Sequence, residues 1–262
     1  MKNFIKKIIN LFGYKIMKVE KIDATDLDGL TKSLITNSEP VIFDVGASNG
    51  TSVKRYKKIF DKPIIHCFEP ISDDLNVIKD NFSDDQNLFL NNVGVGDESG
   101  YLNFNINAKR NTSSFRNLIP NTTWVKRRSK TFNVDDKKFT IKEQNTKIIT
   151  LDNYVTEKKI SNIDILKIDT QGFEDKVLLG AKNLLKNNRI KLIQLELIFS
   201  EIYEKSLQIY DVEKTLIPNN YRLFGISEGG SLITDYIYQS DFIYISNDTY
   251  ENFKLISPYF NN

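Results

Sequence analysis

Two hydrophobic patterns alternate along most of this chain. Short, continuous apolar runs of strand length occur at 41–45, 64–68, 88–93, 163–168, 190–197, 221–226 and 242–245. Apolar residues at helical spacing occupy the stretches 26–36, 51–60, 72–81, 173–186 and 206–216. Alternation of this kind predicts an α/β fold in which a mostly parallel sheet carries helices on both faces. The last two runs predict an antiparallel pair that closes a seven-stranded, doubly wound sheet.

Residues 97–150 break the alternation, because they contain no convincing crossover helix. Apolar positions around Tyr101 and Phe104, and again from Phe139 to Leu151, suggest further strands. A polar and basic stretch separates them. We interpret 97–150 as an insertion in a domain that spans 38–262. A functional lid and a solvated surface loop are both compatible with this pattern.

The segment 1–37 predicts helical structure. Its first part repeats apolar residues at helical spacing from Phe4 to Phe12, among several lysines. The apolar stretches are too short and too often broken by lysine for a secretion signal. An N-terminal helix could dock on the domain, pair with a partner chain as a dimer contact, or lie on a membrane surface as a basic amphipathic helix.

Composition narrows the classes of protein. The chain has 262 residues, of which 40% are hydrophobic and 27% charged, as in globular proteins. A net charge of +2 gives no support for nucleic-acid binding. The single cysteine, Cys67, excludes an internal disulfide and suits a reducing compartment, so we expect a cytoplasmic protein.

The turns after the first two predicted strands contain candidate cofactor residues. The first turn runs from Asp44 to Gly50, and its glycines permit close backbone approach to a ligand. Glu69 ends the second strand, where an acidic side chain can accept hydrogen bonds from both ribose hydroxyls of an adenosine. Ser48 stands where the dinucleotide fingerprint requires glycine. Asp44 suits a cofactor that has an ammonium group and no pyrophosphate, such as S-adenosylmethionine.

A second class, the NAD-dependent oxidoreductases, stays open as an alternative. Tyr154 with Lys158, and Tyr250 with Lys254, have the spacing of the short-chain dehydrogenase pair. However, Ile141 stands where a partner serine is expected. We interpret both pairs as chance neighbours on helix surfaces.

Seven sequence blocks, taken in order, resemble the FkbM-type methyltransferase family. They are VIFDVGASNG (41–50), HCFEP (66–70), NVGVGD (92–97), TLDNY (150–154), ILKIDTQG (165–172), QLEL (194–197) and DFIY (241–244). The resemblance implies a Rossmann-like class I methyltransferase fold and S-adenosylmethionine as methyl donor. Family members are often O-methyltransferases that act on sugars or natural products.

Carried over by position, the resemblance implies a cofactor site. Its residues would be Asp44, Gly46, Ala47, Asn49, Glu69, Pro70, Asn92, Val93 and Asp169. The glycine turn would hold the methionine end, Glu69 the ribose, and Asn92 with its neighbours the adenine. Two positions depart from the family: Gly94 often corresponds to alanine, and Gln171 to glutamate. A base or metal ligand at that second position cannot be copied by Gln171.

A sugar hydroxyl is a poor nucleophile, so a base or a metal should assist it. The only histidine, His66, lies inside a predicted strand, so we consider carboxylates as candidates for the base. The catalytic candidates are Asp169, Lys167 and Glu196. Lys167 and Asp169 share a strand face and could deprotonate a hydroxyl or form a structural ion pair. Asp169 and Glu196 could instead hold Mg²⁺, although we favour a metal-free site.

Polar residues of the insertion are candidates for substrate binding. Ser113 and Ser114 look like a short motif of the family, and Gln171 and Arg116 join them as predicted substrate residues. The basic residues of the insertion could receive the phosphates of a nucleotide-linked sugar, or could simply be solvated. They are Arg110, Arg116, Lys126, Arg127 and Arg128. The expected function is O-methylation of a sugar that is nucleotide-linked or part of a surface polysaccharide. A methyltransferase for a non-sugar small molecule and a binding module without turnover are the alternatives.

Overall fold

The computed structural model describes residues 26–227 and 237–256. Its helices are α1 (Leu27–Leu34), α2 (Thr51–Ile59), α3 (Ser72–Asn81), α4 (Thr123–Phe132), α5 (Leu151–Lys158), α6 (Glu174–Leu179), α7 (Lys182–Lys186), α8 (Ile209–Leu216) and α9 (Asn247–Ile256). Its strands are β1 (Val41–Val45), β2 (Ile64–Phe68), β3 (Leu88–Asn91), β4 (Gly94–Val95), β5 (Gly100–Asn107), β6 (Thr140–Ile149), β7 (Ile163–Ile168), β8 (Ile190–Ile198), β9 (Tyr221–Ile226) and β10 (Gln239–Ser246).

The prediction of an N-terminal amphipathic helix, with its dimer or membrane contact, falls on residues 1–25 and lies outside the described ranges. Within those ranges, no helix is long and apolar enough to cross a membrane.

The main sheet has seven strands in the order β3-β2-β1-β7-β8-β10-β9. Five neighbouring strands of this sheet, β3, β2, β1, β7 and β8, are parallel to one another. Strand β10 runs antiparallel to both of its neighbours, β8 and β9. The predicted fold class and the predicted closing pair are therefore confirmed. Strand order reverses between β1 and β7, which is where open α/β sheets bind their ligands.

Both faces of the sheet are covered. Neighbouring residues of β1 illustrate this, because Ile42 belongs to one buried apolar cluster and Phe43 to another. Side chains alternate between faces along a strand, so each cluster packs one face of the sheet. Every residue of the central strand β7 is buried, as expected for a parallel strand covered on both sides.

The segment expected to be an insertion contains more order than its sequence indicates. Strands β4, β6 and β5 form a second sheet, and helix α4 occupies much of the polar basic stretch. Leu151, interpreted as part of a strand, is instead the first residue of α5. The Thr150 hydroxyl accepts a hydrogen bond from the Asn153 amide and so caps that helix at its N-terminus.

Two further boundaries differ from the sequence prediction. The helix expected at 173–186 is divided into α6 and α7 at Gly180, where the chain passes close to Gly96. The third strand ends at Asn91 rather than at residue 93. The next residues turn away to form β4 in the second sheet.

Candidate active site

A cavity of about 700 Å³ opens at the carboxyl ends of β1, β2, β7 and β8. This volume falls in the range of small-molecule sites, and its position matches the point where strand order reverses. One part of its wall comes from the turns after β1 and β2. The opposite part comes from the segment after β5, from α4 and from the start of β10. The cavity is thus enclosed jointly by the main sheet and the inserted residues.

The glycine turn after β1 has a conformation that requires glycine at position 46. Gly46 has φ +82°, and a Cβ there would overlap the Asp169 carbonyl oxygen. Its absence lets the turn pack against the end of β7. As a result, Ala47 and Asn49, two of the predicted cofactor residues, line the cavity together with Ser48.

Glu69 lies at the end of β2 and faces this turn. Its side chain is buried and lines the cavity, and its two carboxylate oxygens accept hydrogen bonds from the amides of Ser48 and Ile71, both at 2.9 Å. Burial raises the pKa of Glu69 to about 7, although both amides lower it. The carboxylate is therefore held in a fixed orientation toward the glycine turn, and each oxygen keeps a further lone pair for a ligand.

Asn92 stabilises the turn that follows β2. Its amide donates to the carbonyl oxygens of Glu69 and Pro70, at 2.9 and 3.0 Å, and the residue is exposed rather than part of the cavity wall. Pro70 and Val93 do line the cavity. The side-chain nitrogen of Asn92 thus holds the turn, and the predicted contact of this residue with adenine stays a prediction.

Asp44 lies beneath the cavity and not in its wall. It is completely buried, accepts a hydrogen bond from the Ser52 hydroxyl, and has Lys167 Nζ 3.4 Å from its Oδ1. The structure thus places the Asp44 carboxylate behind the wall, and its predicted role at the methionine end stays a prediction. Its charge acts on the cavity through Lys167, whose side chain does reach the wall.

Lys167 contacts two carboxylates, because Asp169 Oδ2 lies 3.5 Å from the same ammonium group. Burial lowers the pKa of Lys167, but Asp44 and Asp169 outweigh it and raise the pKa above its ordinary value. The ammonium group stays protonated at neutral pH. Of the predicted Lys167–Asp169 pair, only the carboxylate can accept a proton.

Gln171 joins Asp169 and Glu196, the two carboxylates predicted as a possible Mg²⁺ pair. Its amide nitrogen donates to Asp169 Oδ1 and to Glu196 Oε2, each at 2.9 Å, and its backbone φ is +57°. An N–H donor thus occupies the space between the carboxylates, where the Mg²⁺ alternative would need an oxygen ligand. Among residues 26–227 and 237–256, no group of three or more histidine, cysteine or acidic side chains is arranged to hold a metal ion.

Glu196 has the environment of a proton acceptor. Gln239 Nε2 donates to its second oxygen at 2.7 Å, so both oxygens are fixed by neutral amides. Burial raises the pKa of Glu196, and the nearby charges of Asp169 and Asp241 raise it further. A carboxylate with a pKa moved toward neutrality is suited to general-base chemistry at physiological pH.

Of the three predicted substrate residues of the insertion, one lines the cavity and two do not. Ser113 lines the cavity. The Ser114 hydroxyl donates to the Gln171 carbonyl at 2.8 Å, and Arg116 forms an ion pair with Asp175 at 3.0 Å. Neither Ser114 nor Arg116 lines the cavity. They attach this segment to the loop after β7 and to α6, and their contact with substrate stays a prediction.

His66 and the tyrosine–lysine pair lie away from the cavity. His66 Nδ1 is 2.9 Å from the Tyr154 hydroxyl, and burial lowers the pKa of His66 to about 4. Lys158 lies over the Tyr154 ring, 5.9 Å from its centroid. These contacts belong to the packing of α5 on β2. Tyr154 is thus buried in the core and not on a helix surface, and neither Tyr154 nor Lys158 lines the cavity.

Sequence reasoning missed several cavity residues. They include Lys109, Trp124, Phe132, Tyr238 and Gln239. Trp124, Arg128 and Phe132 recur at intervals of four on α4 and form one stripe of that helix, so recognising the helix would have found them. Of the basic residues proposed to bind phosphates, Arg128 and Arg110 line the cavity, whereas Lys126 and Arg127 are exposed outside it.

A seven-stranded sheet of this order, with its cavity beyond the glycine turn, is that of a Rossmann-like methyltransferase. Residues 44–223 match the family model described as the methyltransferase FkbM domain. The chain therefore belongs to the FkbM methyltransferase family, as the resemblance indicated. This membership removes the NAD-dependent oxidoreductase alternative.

Individual proteins resemble the chain more distantly. The 2-O-methyltransferase NoeI of Sinorhizobium fredii is 25% identical over 187 residues, which are 68% of this chain and 71% of NoeI. An rRNA methylase from Streptococcus thermophilus superposes with a TM-score of 0.46 at 10% identity, covering 87% of this chain and 98% of that one. Aeropyrum pernix fibrillarin, solved with S-adenosyl-L-methionine, has a TM-score of 0.40 at 11% identity, covering 80% and 67%.

Proposed function

We propose that this methyltransferase uses S-adenosylmethionine to methylate a hydroxyl group of a sugar. The observation that carries the proposal is the Glu69 carboxylate, held by two backbone amides at the end of β2 and facing the glycine turn inside the cavity. A carboxylate in this position suits the two ribose hydroxyls of a nucleoside. When bound, S-adenosylmethionine supplies a methyl group activated by its sulfonium.

The residues present fit such a donor. Glu69 would hold the ribose, and Val93 with Pro70 would flank the adenine. The turn of Gly46, Ala47 and Asn49 would adjoin the methionine part, together with Asp169 at the end of β7. Asp44 contributes indirectly, because it fixes the Lys167 ammonium.

Glu196 is the base in this proposal. Its raised pKa and its position at the carboxyl end of β8 let it accept the proton of an acceptor hydroxyl. Gln171 and Gln239 orient the carboxylate through their amides. Lys167 remains protonated and Asp169 is paired with it, so these two position groups rather than move the proton.

Two features favour oxygen, and a sugar, as the acceptor. The similar protein NoeI is by name a 2-O-methyltransferase. The part of the cavity beside Glu196 combines the aromatic side chains of Trp124 and Tyr238 with the polar Gln239, a mixture suited to the apolar faces and hydroxyls of a sugar ring. A nucleotide-linked sugar and a surface polysaccharide both contain such hydroxyls. A non-sugar small molecule with a hydroxyl is the second candidate.

Calorimetry with S-adenosylhomocysteine tests the donor assignment. We expect binding to the unmodified protein and at least a tenfold loss in Glu69→Ala, because two hydrogen bonds to a charged group are removed. Glu98→Ala, a carboxylate outside the cavity wall, is the matched control. Tritium transfer from labelled S-adenosylmethionine to a panel of activated sugars and non-sugar alcohols then tests the acceptor. Absence of any binding heat in the unmodified protein would refute the proposal.

A further inference from the structure

Two cationic side chains of the cavity wall have no ion-pair partner among the described residues. They are Lys109, which follows β5, and Arg128 on α4. Their basic neighbours are engaged: Arg110 pairs with Asp73 and Asp74, each at 2.9 Å, and Arg116 pairs with Asp175. The other two cations of the wall are also paired, Arg55 with Asp28 and Lys167 with Asp44. Lys109 and Arg128 are therefore the cavity-wall cations, among the described residues, that remain available to a ligand.

These two cations line the same cavity, and the charge of each disfavours the charged form of the other. Burial lowers the pKa of Lys109, and the charge of Arg128 lowers it further. Both residues are only partly exposed. Holding two like charges together at a partly desolvated wall is unfavourable unless an anion joins them.

An aromatic side chain adjoins the same cations. The Arg128 guanidinium lies over the Trp124 ring, 5.8 Å from its centroid, because the two residues are one helical turn apart on α4. Phe132 continues the stripe one turn later and also lines the cavity. A flat aromatic face beside a guanidinium and an ammonium can bind a ring and an attached anion at once.

Balancing the charge of Glu196 is the competing role for Lys109. The Glu196 carboxylate does raise the pKa of Lys109, so the two groups interact. However, both Glu196 oxygens already accept hydrogen bonds, from Gln171 and Gln239, and neither cation donates to them. The charged groups of Lys109 and Arg128 can therefore still contact a ligand bound in the cavity.

We infer that Lys109 and Arg128 bind the phosphate or diphosphate group of the acceptor, with Trp124 packed beside it. The inference rests on the proposed function and narrows its substrate to phosphorylated sugars, including nucleotide-linked ones. Two cations match the two negative charges of such a group, and a guanidinium can bind a phosphate through two parallel hydrogen bonds. The acceptor hydroxyl would then lie toward Glu196, which lines the same cavity as Lys109, Arg128 and Tyr238.

The fluorescence of Trp124 tests this directly, because it is the only tryptophan of the chain. The probes are inorganic pyrophosphate, uridine diphosphate glucose, glucose 1-phosphate and uncharged methyl glucoside. We expect saturable fluorescence changes with the three phosphorylated probes and none with methyl glucoside at the same concentrations. Tighter binding of the uridine diphosphate sugar than of glucose 1-phosphate would identify a nucleotide-linked source, and the reverse order a simple sugar phosphate.

Charge-removing variants locate the anion. Lys109→Gln and Arg128→Gln should each weaken pyrophosphate binding roughly ten- to a hundredfold, the effect of losing a hydrogen bond to a charged group. Lys126→Gln removes the same charge from the exposed side of α4 and should leave binding unchanged. Unchanged pyrophosphate affinity in Lys109→Gln/Arg128→Gln, or no binding by the unmodified protein, would overturn the inference.

Titration of the same variants with S-adenosylhomocysteine separates this inference from the proposed function. Retained affinity shows that the variants are folded and that the donor part of the cavity is intact. Loss of anion binding with retained S-adenosylhomocysteine binding supports the inference. Anion binding without S-adenosylhomocysteine binding in the unmodified protein would instead refute the donor assignment alone.

Discussion

Gln171 and Glu196 are joined by a 2.9 Å hydrogen bond in which the amide nitrogen donates to the carboxylate. The same nitrogen donates to Asp169, so one neutral side chain keeps two acidic side chains together near the cavity floor. At this position the resembled family often has glutamate. The neutral amide therefore determines how much negative charge the site holds, and this has a measurable consequence.

Gln171→Glu should destabilise the protein by about 1–3 kcal/mol at neutral pH, because it replaces two hydrogen bonds with repulsion among three carboxylates. The loss should shrink as the pH falls, since protonation of the cluster relieves the repulsion. Denaturant unfolding at several pH values measures it. Asn145→Asp adds a carboxylate at an exposed position of β6 and should change stability by no more than about 0.5 kcal/mol. Equal effects of the two substitutions would argue against the bridging role of Gln171.

Donor binding should depend on the protonation of Glu69. Burial places the pKa of this carboxyl group at about 7 in the ligand-free protein, and only the ionised form can accept two ribose hydrogen bonds. Affinity for S-adenosylhomocysteine should therefore rise as the pH increases through 7 and fall below it. Calorimetry on either side of that pH measures the effect.

The control for this pH dependence is Glu69→Gln, which keeps the shape of the side chain and removes its titration. Its affinity should be lower and nearly independent of pH over the same interval. A pH dependence as steep as that of the unmodified protein would show that another group controls donor binding.

The rate of methyl transfer should require Glu196. In Glu196→Gln we expect kcat to fall by roughly 100-fold or more, the usual contribution of a general base, with S-adenosylhomocysteine affinity retained. The unmodified enzyme should gain activity as the pH rises and Glu196 ionises, and the variant should lose this limb of the profile. Glu201→Gln, an exposed carboxylate beyond the end of β8, is the control. An unaltered pH profile in Glu196→Gln would assign the base elsewhere.

Close packing of the first turn against β7 should make Gly46 intolerant of any side chain. Gly46→Ala places a methyl group against the Asp169 carbonyl oxygen at φ +82°, so we expect a loss of stability of about 1–3 kcal/mol and loss of donor binding. Gly100→Ala is matched to it, because an added Cβ there meets nothing within 4 Å. Thermal unfolding of both variants, followed by calorimetry, checks the difference. Similar stability in the two would contradict the close approach.

The fold was predictable because its determinants are local. Short, mainly apolar runs such as 163–168 have the length of buried strands, and their alternation with amphipathic helices indicates a mostly parallel sheet. The seven sequence blocks, which occur in the order typical of the family, indicated the family. The structure of the inserted segment was harder to predict, because α4 is polar and basic and has few apolar residues to show helical periodicity. Its helix depends on the Thr122 cap and on packing against Phe139 through Trp124.

The roles of individual polar residues could not be predicted from local sequence patterns. Asp44 and Glu69 both follow the pattern of acidic residues at strand ends, yet one lies under the cavity and the other faces it. Arg116 and Arg128 look equivalent in the sequence, but Asp175 pairs with the first and leaves the second for the cavity.

The sequence by itself determined the sheet, its helices, the family and the strand ends where the site lies, because hydrophobic periodicity and short motifs act between near neighbours in the chain. Only the tertiary structure decided which side chains reach the cavity, which are paired, and which keep or lose a proton. Those properties depend on partners far away in sequence, as with Gln171 and Glu196, and on burial that no local pattern specifies.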